Sequence, residues 1–129
     1  MTPHEPPLSL AISRVGDVVT IRLNGELDIA SKTALEQCIS EHTAAGRAHV
    51  VLDLSQLEFV DSTGISTFVG ASRDLYSRGG WLRLENVNGM PRKVLELTGV
   101  YELLTAPMTY GEPSWSLDGL DDVGDVARS

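Results

Sequence analysis

The hydrophobic period of this chain switches repeatedly between two residues and about 3.6 residues, and that switching limits the folds open to it. Apolar residues alternate with polar ones at Leu8–Ile12 and again at Val19–Leu23, with a glycine-aspartate turn between, which predicts a β-hairpin. Between Ala34 and His42 the apolar residues fall on one helical stripe. Ser31 stands where an N-cap is expected, and Gly46 where a helix C-terminus favours glycine.

The second half of the chain continues the alternation. Val50–Leu54 is a short apolar run, typical of a central strand covered on both faces. Residues 55–60 read as a loop pinned by apolar side chains. A second helix is predicted from Ser62 to the glycine pair at 79–80, and a strand from Trp81 to Leu84.

A third helix is predicted between Asn88, as its cap, and Gly99, as its stop. Tyr101–Leu104 reads as an optional short edge strand. The order is therefore β-β-α-β-α-β-α, with that strand as a possible addition. Strands that alternate with helices of this length predict an α/β domain, with a mixed, largely parallel sheet of four to five strands and helices packed on it.

The length of 129 residues suits one domain. We assign it to residues 8–110, between a proline-rich flexible tail at 1–7 and a flexible acidic tail at 111–129. The start of the chain has no basic segment followed by an apolar run, and no apolar stretch reaches the roughly 18 residues of a membrane span. We therefore expect a cytoplasmic protein.

The net charge of −8 narrows the classes of partner. Nucleic-acid binding needs a cationic face, which 10 Lys and Arg set against 18 Asp and Glu do not easily supply, and anionic membranes are disfavoured for the same reason. The remaining partner class is another protein. The single cysteine, Cys38, cannot form an internal disulfide, and without a second thiol or a histidine cluster we expect no metal site and no cofactor.

Asp61-Ser62-Thr63 places three N-capping residue types in succession at the start of the second helix. One cap satisfies only one or two of the free N–H groups of a helix, so the three cannot all be caps. In the simplest interpretation one residue caps the helix and the others are idle. Alternatively, the run presents an exposed hydroxyl where an added phosphate would meet free N–H groups and the positive end of the helix dipole.

Three segments together resemble one known family. They are Asn24-Gly25-Glu26-Leu27-Asp28, then residues 50–55, then Phe59-Val60-Asp61-Ser62-Thr63-Gly64-Ile65. Their order and spacing are similar to those of the STAS family, specifically the bacterial anti-sigma factor antagonists (anti-anti-sigma factors), over about residues 8–104. Family members commonly end in a further amphipathic helix, a stretch that a glycine and two prolines between 107 and 113 interrupt here.

The resemblance implies a partner-switching cycle and no enzymatic activity of the chain itself. The unphosphorylated protein would bind an anti-sigma factor that is also a serine kinase, and so free a sigma factor. The kinase would use ATP to phosphorylate Ser62, with Thr63 as the second choice, and the complex would dissociate; a PP2C-type phosphatase would reverse the step. The free protein would be a monomer. The resemblance implies a docking surface formed by Gly25, Glu26, Leu27, Asp28, Asp61, Ser62, Thr63, Gly64 and Ile65.

Other interpretations fit less well. A serine hydrolase would want glycine at Val60 in its nucleophile elbow, and no histidine follows Ser62 in the chain. A receiver domain would use Asp53 but needs a lysine after a late strand, and we expect Asp53 instead to accept local hydrogen bonds. No feature favours an apolar-ligand carrier. One alternative stays open: a STAS module that binds an ABC-type transporter or a stress-signalling assembly.

Overall fold

A computed structural model describes residues 7–43 and 48–105 of the chain. The elements are β1 (Leu8–Val15), β2 (Val18–Leu27), α1 (Lys32–Thr43), β3 (His49–Val60), α2 (Ser62–Ser77), β4 (Trp81–Glu85), α3 (Gly89–Leu97) and α4 (Tyr101–Thr105). Residues 1–6, Gly46 and residues 106–129 lie outside the described residues, so the acidic tail, the domain end at 110 and the expected glycine stop remain predictions. Pro7, assigned to the first tail, is described, and its carbonyl accepts from the Glu26 amide.

The sheet has the strand order β1-β2-β3-β4 within the described residues. β1 and β2 form the predicted hairpin, antiparallel and in register from Leu8–Gly25 to Val15–Val18. β3 pairs parallel with β2, and β4 pairs parallel with β3. The predicted fold class, a mixed and largely parallel sheet with helices, is confirmed.

The core lies on one face of this sheet, because alternate strand residues point to it. Ile21 of β2 pairs with Leu52 of β3, which pairs with Leu84 of β4, and these three side chains are buried. Phe68 of α2 and Leu35 of α1 are fully buried in the same cluster. Burial of one such side chain stabilises the fold by about 1.5–3 kcal/mol. Cys38 joins the cluster as a buried free thiol.

β3 is longer than the sequence predicted, and the expected loop at 55–60 is strand. Gln56, Leu57, Phe59 and Val60 pair with Asn24–Leu27 of β2, with two register shifts along the way. The apolar residues taken as loop anchors are thus strand residues, with Leu57 and Val60 buried. Because a buried backbone segment needs hydrogen-bond partners, the free edge of β2 favours continued pairing over a loop.

Tyr101–Leu104, predicted as an optional strand, lies instead in the helix α4. The Leu104 amide donates to the Val100 carbonyl at 3.1 Å, and the Thr105 hydroxyl donates to the Tyr101 carbonyl at 2.7 Å. Leu104 is buried and Val100 packs against the core, four residues apart on one face. The spacing of these two side chains has the period of a helix, which decides the conformation.

Asp53 accepts local hydrogen bonds at the point where β3 leaves β4, as the sequence predicted. Its Oδ1 accepts from the Ser55 amide at 2.9 Å and from the Asn86 side-chain amide at 3.1 Å. Burial alone would raise the pKa of Asp53, but these hydrogen bonds and nearby Arg22 hold that pKa below its usual value. The carboxylate therefore stays charged and fastens the β4–α3 loop to β3.

Candidate functional site

The two motif segments meet at one end of the sheet, where the parallel strands β2 and β3 have their C-termini. Leu27, the last residue of β2, pairs with Val60, the last residue of β3. The Asp61 amide donates to the Leu27 carbonyl at 3.4 Å. The segment Gly25–Asp28 therefore lies beside the start of α2, although more than thirty residues separate the two in the chain.

Asp61 is the residue that caps α2. Its backbone is extended (φ −109°, ψ −172°), and its Oδ1 accepts from the Gly64 amide at 3.0 Å. The Ile65 amide donates to the Asp61 carbonyl at 3.0 Å, the first helical bond. Ser62 is therefore the first residue of the helix. The amides of Ser62 and Thr63 lie ahead of the first helical bond, where helices leave N–H groups free.

Ser62 is exposed, and its hydroxyl has no hydrogen-bond partner among the described residues. Thr63 is half-buried by comparison. A kinase must align the acceptor oxygen with the γ-phosphate of ATP, so the acceptor has to be accessible. Of the two hydroxyls predicted as candidates, that of Ser62 meets this requirement better.

Gly64 allows the first turn of α2 to pack directly on the end of β2. A Cβ at this position would meet the Val60 Cγ2 at 2.4 Å, the Leu27 carbonyl oxygen at 3.0 Å and the Leu27 Cδ2 at 3.1 Å. The glycine is thus needed for close approach, and it fixes the distance between the helix that carries Ser62 and the segment that precedes Asp28.

The side chain of Asp28 stabilises its own loop through hydrogen bonds. Its Oδ1 accepts from the amides of Ala30 and Ser31 at 3.0 and 3.2 Å. The Ser31 hydroxyl accepts from the Asp28 amide at 3.0 Å and lies 2.9 Å from the Glu26 carbonyl oxygen, to which it can donate. Ser31 directly precedes α1, as expected of a cap, but the bonds of its hydroxyl go back into the loop. They hold this loop in one conformation beside α2.

Gly25 is a second position where the backbone excludes a side chain. Its φ is +117°, which L-residues rarely adopt, and a Cβ there would lie 2.1 Å from the Pro7 carbonyl oxygen. That carbonyl accepts from the Glu26 amide at 2.7 Å. Gly25 thus lets the chain before β1 bond to the end of β2.

The predicted partner-binding set divides into buried and exposed members. Leu27, Gly64 and Ile65 are buried and pack beneath the surface. Glu26 and Ser62 are exposed, whereas Gly25, Asp28, Asp61 and Thr63 are half-buried. The accessible surface is therefore smaller than the predicted set, and its buried members position the rest.

Sequence reasoning missed three exposed apolar side chains at the same end of the sheet, near the C-termini of its parallel strands. Ile29 is 69% exposed in the loop after β2; Phe59 and Met90, 37% and 38% exposed, lie near the end of β3 and at the start of α3. The signal for Ile29 was an aliphatic residue inside an otherwise polar loop. We call the surface formed by Glu26, Ile29, Phe59, Ser62 and Met90 the strand-end face.

The part of the strand-end face around Ser62 is acidic as well as apolar. The segments 24–31 and 55–66 contain the acids Glu26, Asp28, Glu58 and Asp61 and no lysine or arginine. Exposed apolar groups inside a charged rim are typical of surfaces that bind other proteins. Within residues 7–43 and 48–105, no group of His, Cys, Asp and Glu side chains could hold a metal ion, and no helix is long and apolar enough to cross a membrane.

Replacing the cap should separate the structural role of Asp61 from its charge. We expect Asp61→Ala to lower the free energy of unfolding by about 1 kcal/mol, because the Gly64 amide loses its acceptor. Asp61→Asn keeps a capping oxygen and should stay within a few tenths of a kcal/mol of the wild type. Urea denaturation followed by circular dichroism measures both. Equal stability of the Ala and Asn variants would contradict the capping role.

The chain is similar to known proteins over most of its length. A family model described as STAS domain matches residues 9–112. An anti-sigma F factor antagonist from Paenibacillus polymyxa is 27% identical over 88 residues, which are 67% of this chain and 75% of the relative.

Two solved structures are also similar. The anti-sigma factor antagonist SpoIIAA in its unphosphorylated form has a TM-score of 0.66 and 27% identity, covering 79% of this chain and 90% of the other. The Bacillus cell fate determinant SpoIIAA in its phosphorylated form has a TM-score of 0.61 and 26% identity, covering 79% and 93%. The same fold has thus been solved with and without phosphate.

Proposed function

This chain belongs to the STAS domain family, and we propose that it works as an anti-sigma factor antagonist switched by phosphorylation of Ser62. In its unphosphorylated state it binds an anti-sigma factor that is also a serine kinase, and this binding frees a sigma factor. The kinase transfers the γ-phosphate of ATP to Ser62, and the complex separates. A PP2C-type phosphatase restores the binding state. The names of the similar proteins support the antagonism of an anti-sigma factor.

The observation that carries the proposal is the state of the Ser62 hydroxyl. It is exposed, has no partner among the described residues and stands at the first position of α2, a helix capped by the neighbouring Asp61. Because Asp61 holds the cap, the Ser62 hydroxyl can be modified without loss of the helix start. A phosphate there would lie beside free N–H groups and the positive end of the helix dipole, so the fold can carry it.

Electrostatic repulsion by the added phosphate would then release the protein from the kinase. A phosphate adds about −1.5 to −2 charges to a surface that already carries Glu26, Glu58 and Asp61. A kinase that has just transferred the group still holds ADP in line with the Ser62 oxygen, so two phosphoryl groups face each other at short range. Like charges held this closely in an interface cost several kcal/mol. The phosphorylated protein therefore dissociates.

The test is to incubate the full chain with ATP and candidate kinase anti-sigma factors, and to map the product by mass spectrometry. We expect one phosphate, on Ser62, and loss of co-elution with the kinase once the phosphate is added. A phosphate on Thr63, or a fully phosphorylated protein that binds the kinase with unchanged affinity, would overturn the mechanism. Binding to a transporter ATPase without any phosphorylation would favour the alternative STAS role.

Ile29 should contribute to partner binding without contributing to folding. Its side chain is 69% exposed in the free protein, so burying it against a partner stabilises the complex by up to about 1.5–3 kcal/mol. We expect Ile29→Ser to weaken kinase binding by about tenfold or more and to leave thermal stability unchanged. The matched control is Val15→Ser: Val15 is 77% exposed but lies at the hairpin, the opposite end of the sheet. Equal effects of the two variants on binding would exclude Ile29 from the interface.

A further inference from the structure

The outer edge of β1 has no partner strand within the described residues, since β1 is the first strand of the sheet. The hairpin register shows which backbone groups point outward. A two-residue loop joins Val15 to Val18, so these two exchange both bonds, and bonding alternates along the strand from there. The odd-numbered residues of β1 therefore bond to β2. The free N–H and C=O groups belong to Leu8, Leu10, Ile12 and Arg14.

This edge lacks most of the features that usually prevent an edge strand from pairing with a strand of another molecule. β1 is eight residues long, contains no proline and pairs with β2 without a bulge. Its one charged residue is Arg14. Ile12, on the core side of the sheet, is 42% exposed, whereas its partner Ile21 on β2 is fully buried. Long, flat, weakly charged edges of this kind are templates for pairing with another strand.

The sequence of β1 is complementary to itself, and we propose that a second copy of this chain pairs with it, antiparallel, about a two-fold axis at Ala11. In this register Leu10 lies opposite Ile12 of the second copy and Leu8 lies opposite Arg14. All four residues with free backbone groups then exchange bonds across the axis. On the outer face Ala11 meets its own copy, and Ser9 meets Ser13, so no like charges are opposed.

Neighbouring registers are less favourable. A slip by one residue would place core-facing side chains opposite outward-facing ones, because side chains alternate between the faces of a sheet. A symmetric register centred on Leu10 or on Ile12 leaves one of the four bonding residues without a partner. Only the register centred on Ala11 uses the whole edge and extends the apolar face of one sheet into the other.

The resulting association is weak and depends on salt. One pair of edge strands buries less than the ~1,200 Å² typical of stable complexes, so the dimer forms at high protein concentration. Each copy carries a net charge of −8, and the repulsion is screened as ionic strength rises. Dimerisation should therefore strengthen with added salt. At low concentration we expect a monomer, as the family resemblance implies.

Pairing through β1 leaves both strand-end faces free. Ser62 follows β3, the third strand from the free edge, and the two-fold axis turns the second copy so that its strand ends point the opposite way. The inference does not depend on the proposed function, because it uses only the edge and not Ser62. A dimer would present two kinase-binding surfaces at opposite ends of one continuous sheet.

Cysteine cross-linking tests the register directly. In a pair without mutual hydrogen bonds the Cα atoms lie about 4.5 Å apart, within the range of a disulfide, so Ala11→Cys should link to its own copy on mild oxidation. Ser13→Cys is the matched control: it is exposed on the same face of the same strand, but the two copies would be about 13 Å apart. Cys38 is buried, and burial raises the pKa of its thiol, so it should not compete. Equal cross-linking of the two variants would overturn the register.

Sedimentation of the full chain from about 10 µM to about 1 mM tests the association itself. We expect a shift toward dimer for the wild type and loss of that shift for Ile12→Pro, which removes an outward N–H and no bond to β2. Ile12→Lys should act likewise, and Val15→Lys, outside the paired set, should associate as the wild type does. A wild-type chain that is monomeric throughout, or an Ile12→Lys variant that associates normally while folded, would overturn the proposal.

Discussion

A Ser62→Ala protein should stay bound to its kinase partner after ATP is added, while the wild-type protein is phosphorylated and released. The hydroxyl of Ser62 has no partner among the described residues, so its removal leaves no buried polar group unpaired and the fold should be unaffected. Phosphorylation should fall to background. Size-exclusion chromatography of the mixture, with mass spectrometry of the fractions, measures both.

Two further variants make this result specific. Thr63→Ala should be phosphorylated and released as the wild type is, because the neighbouring hydroxyl is not the acceptor. Ser62→Asp should weaken binding by less than full phosphorylation does, since a carboxylate carries one charge and fewer acceptor oxygens than a phosphate. If Ser62→Ala were released by ATP as fast as the wild type, the acceptor would have to be another residue.

Gly64→Ala should destabilise the junction between α2 and the end of β2. Its Cβ would meet Val60 Cγ2 at 2.4 Å and the Leu27 carbonyl oxygen at 3.0 Å, and a carbonyl fixed in a sheet cannot turn away. Overpacking of this kind costs about 1–3 kcal/mol of unfolding free energy. Since α2 would have to move off β2, kinase binding should weaken as well.

Gly70→Ala is the matched control for that substitution. Gly70 lies in the same helix, is exposed, and a Cβ there would have nothing within 4 Å. Alanine at an exposed position inside a helix stabilises it by about 0.5–1 kcal/mol relative to glycine. The same chemical change should therefore have opposite signs at two sites six residues apart, measured by urea denaturation. Destabilisation at both sites would show that the close approach at Gly64 is not the cause.

The hydrophobic period predicted the elements of the sheet and their order because each strand buries alternate side chains against the same core. Where the prediction was wrong, contacts with other parts of the fold determined the local conformation. The composition of residues 55–60 predicted a loop, yet they form a strand because they pair with the side of β2 that faces away from β1. Tyr101–Leu104 is too short for its period to be read with certainty, and the contact of Val100 and Leu104 with the core selected a helix.

The sequence predicted those features of the site that depend only on neighbouring residues in the chain. Three consecutive capping residues indicated a helix start, but the choice among them depends on backbone angles, and these place the Asp61 carboxylate on the Gly64 amide. The exposure of Ile29, Phe59 and Met90 depends on how three separate strand ends meet. No single window of the sequence contains that information.

The pairing of β3 with β2 up to Val60 has a consequence for the entropy of docking. Only Asp61 separates that strand from Ser62, and the loop at Asp28 is held by its own hydrogen bonds. Binding partners that must first order a loop lose affinity in proportion to the freedom they remove. Around Ser62 and Asp28 that freedom is already restricted in the free protein. A kinase would therefore find its acceptor serine preorganised, and little of its binding energy would be spent on ordering this protein.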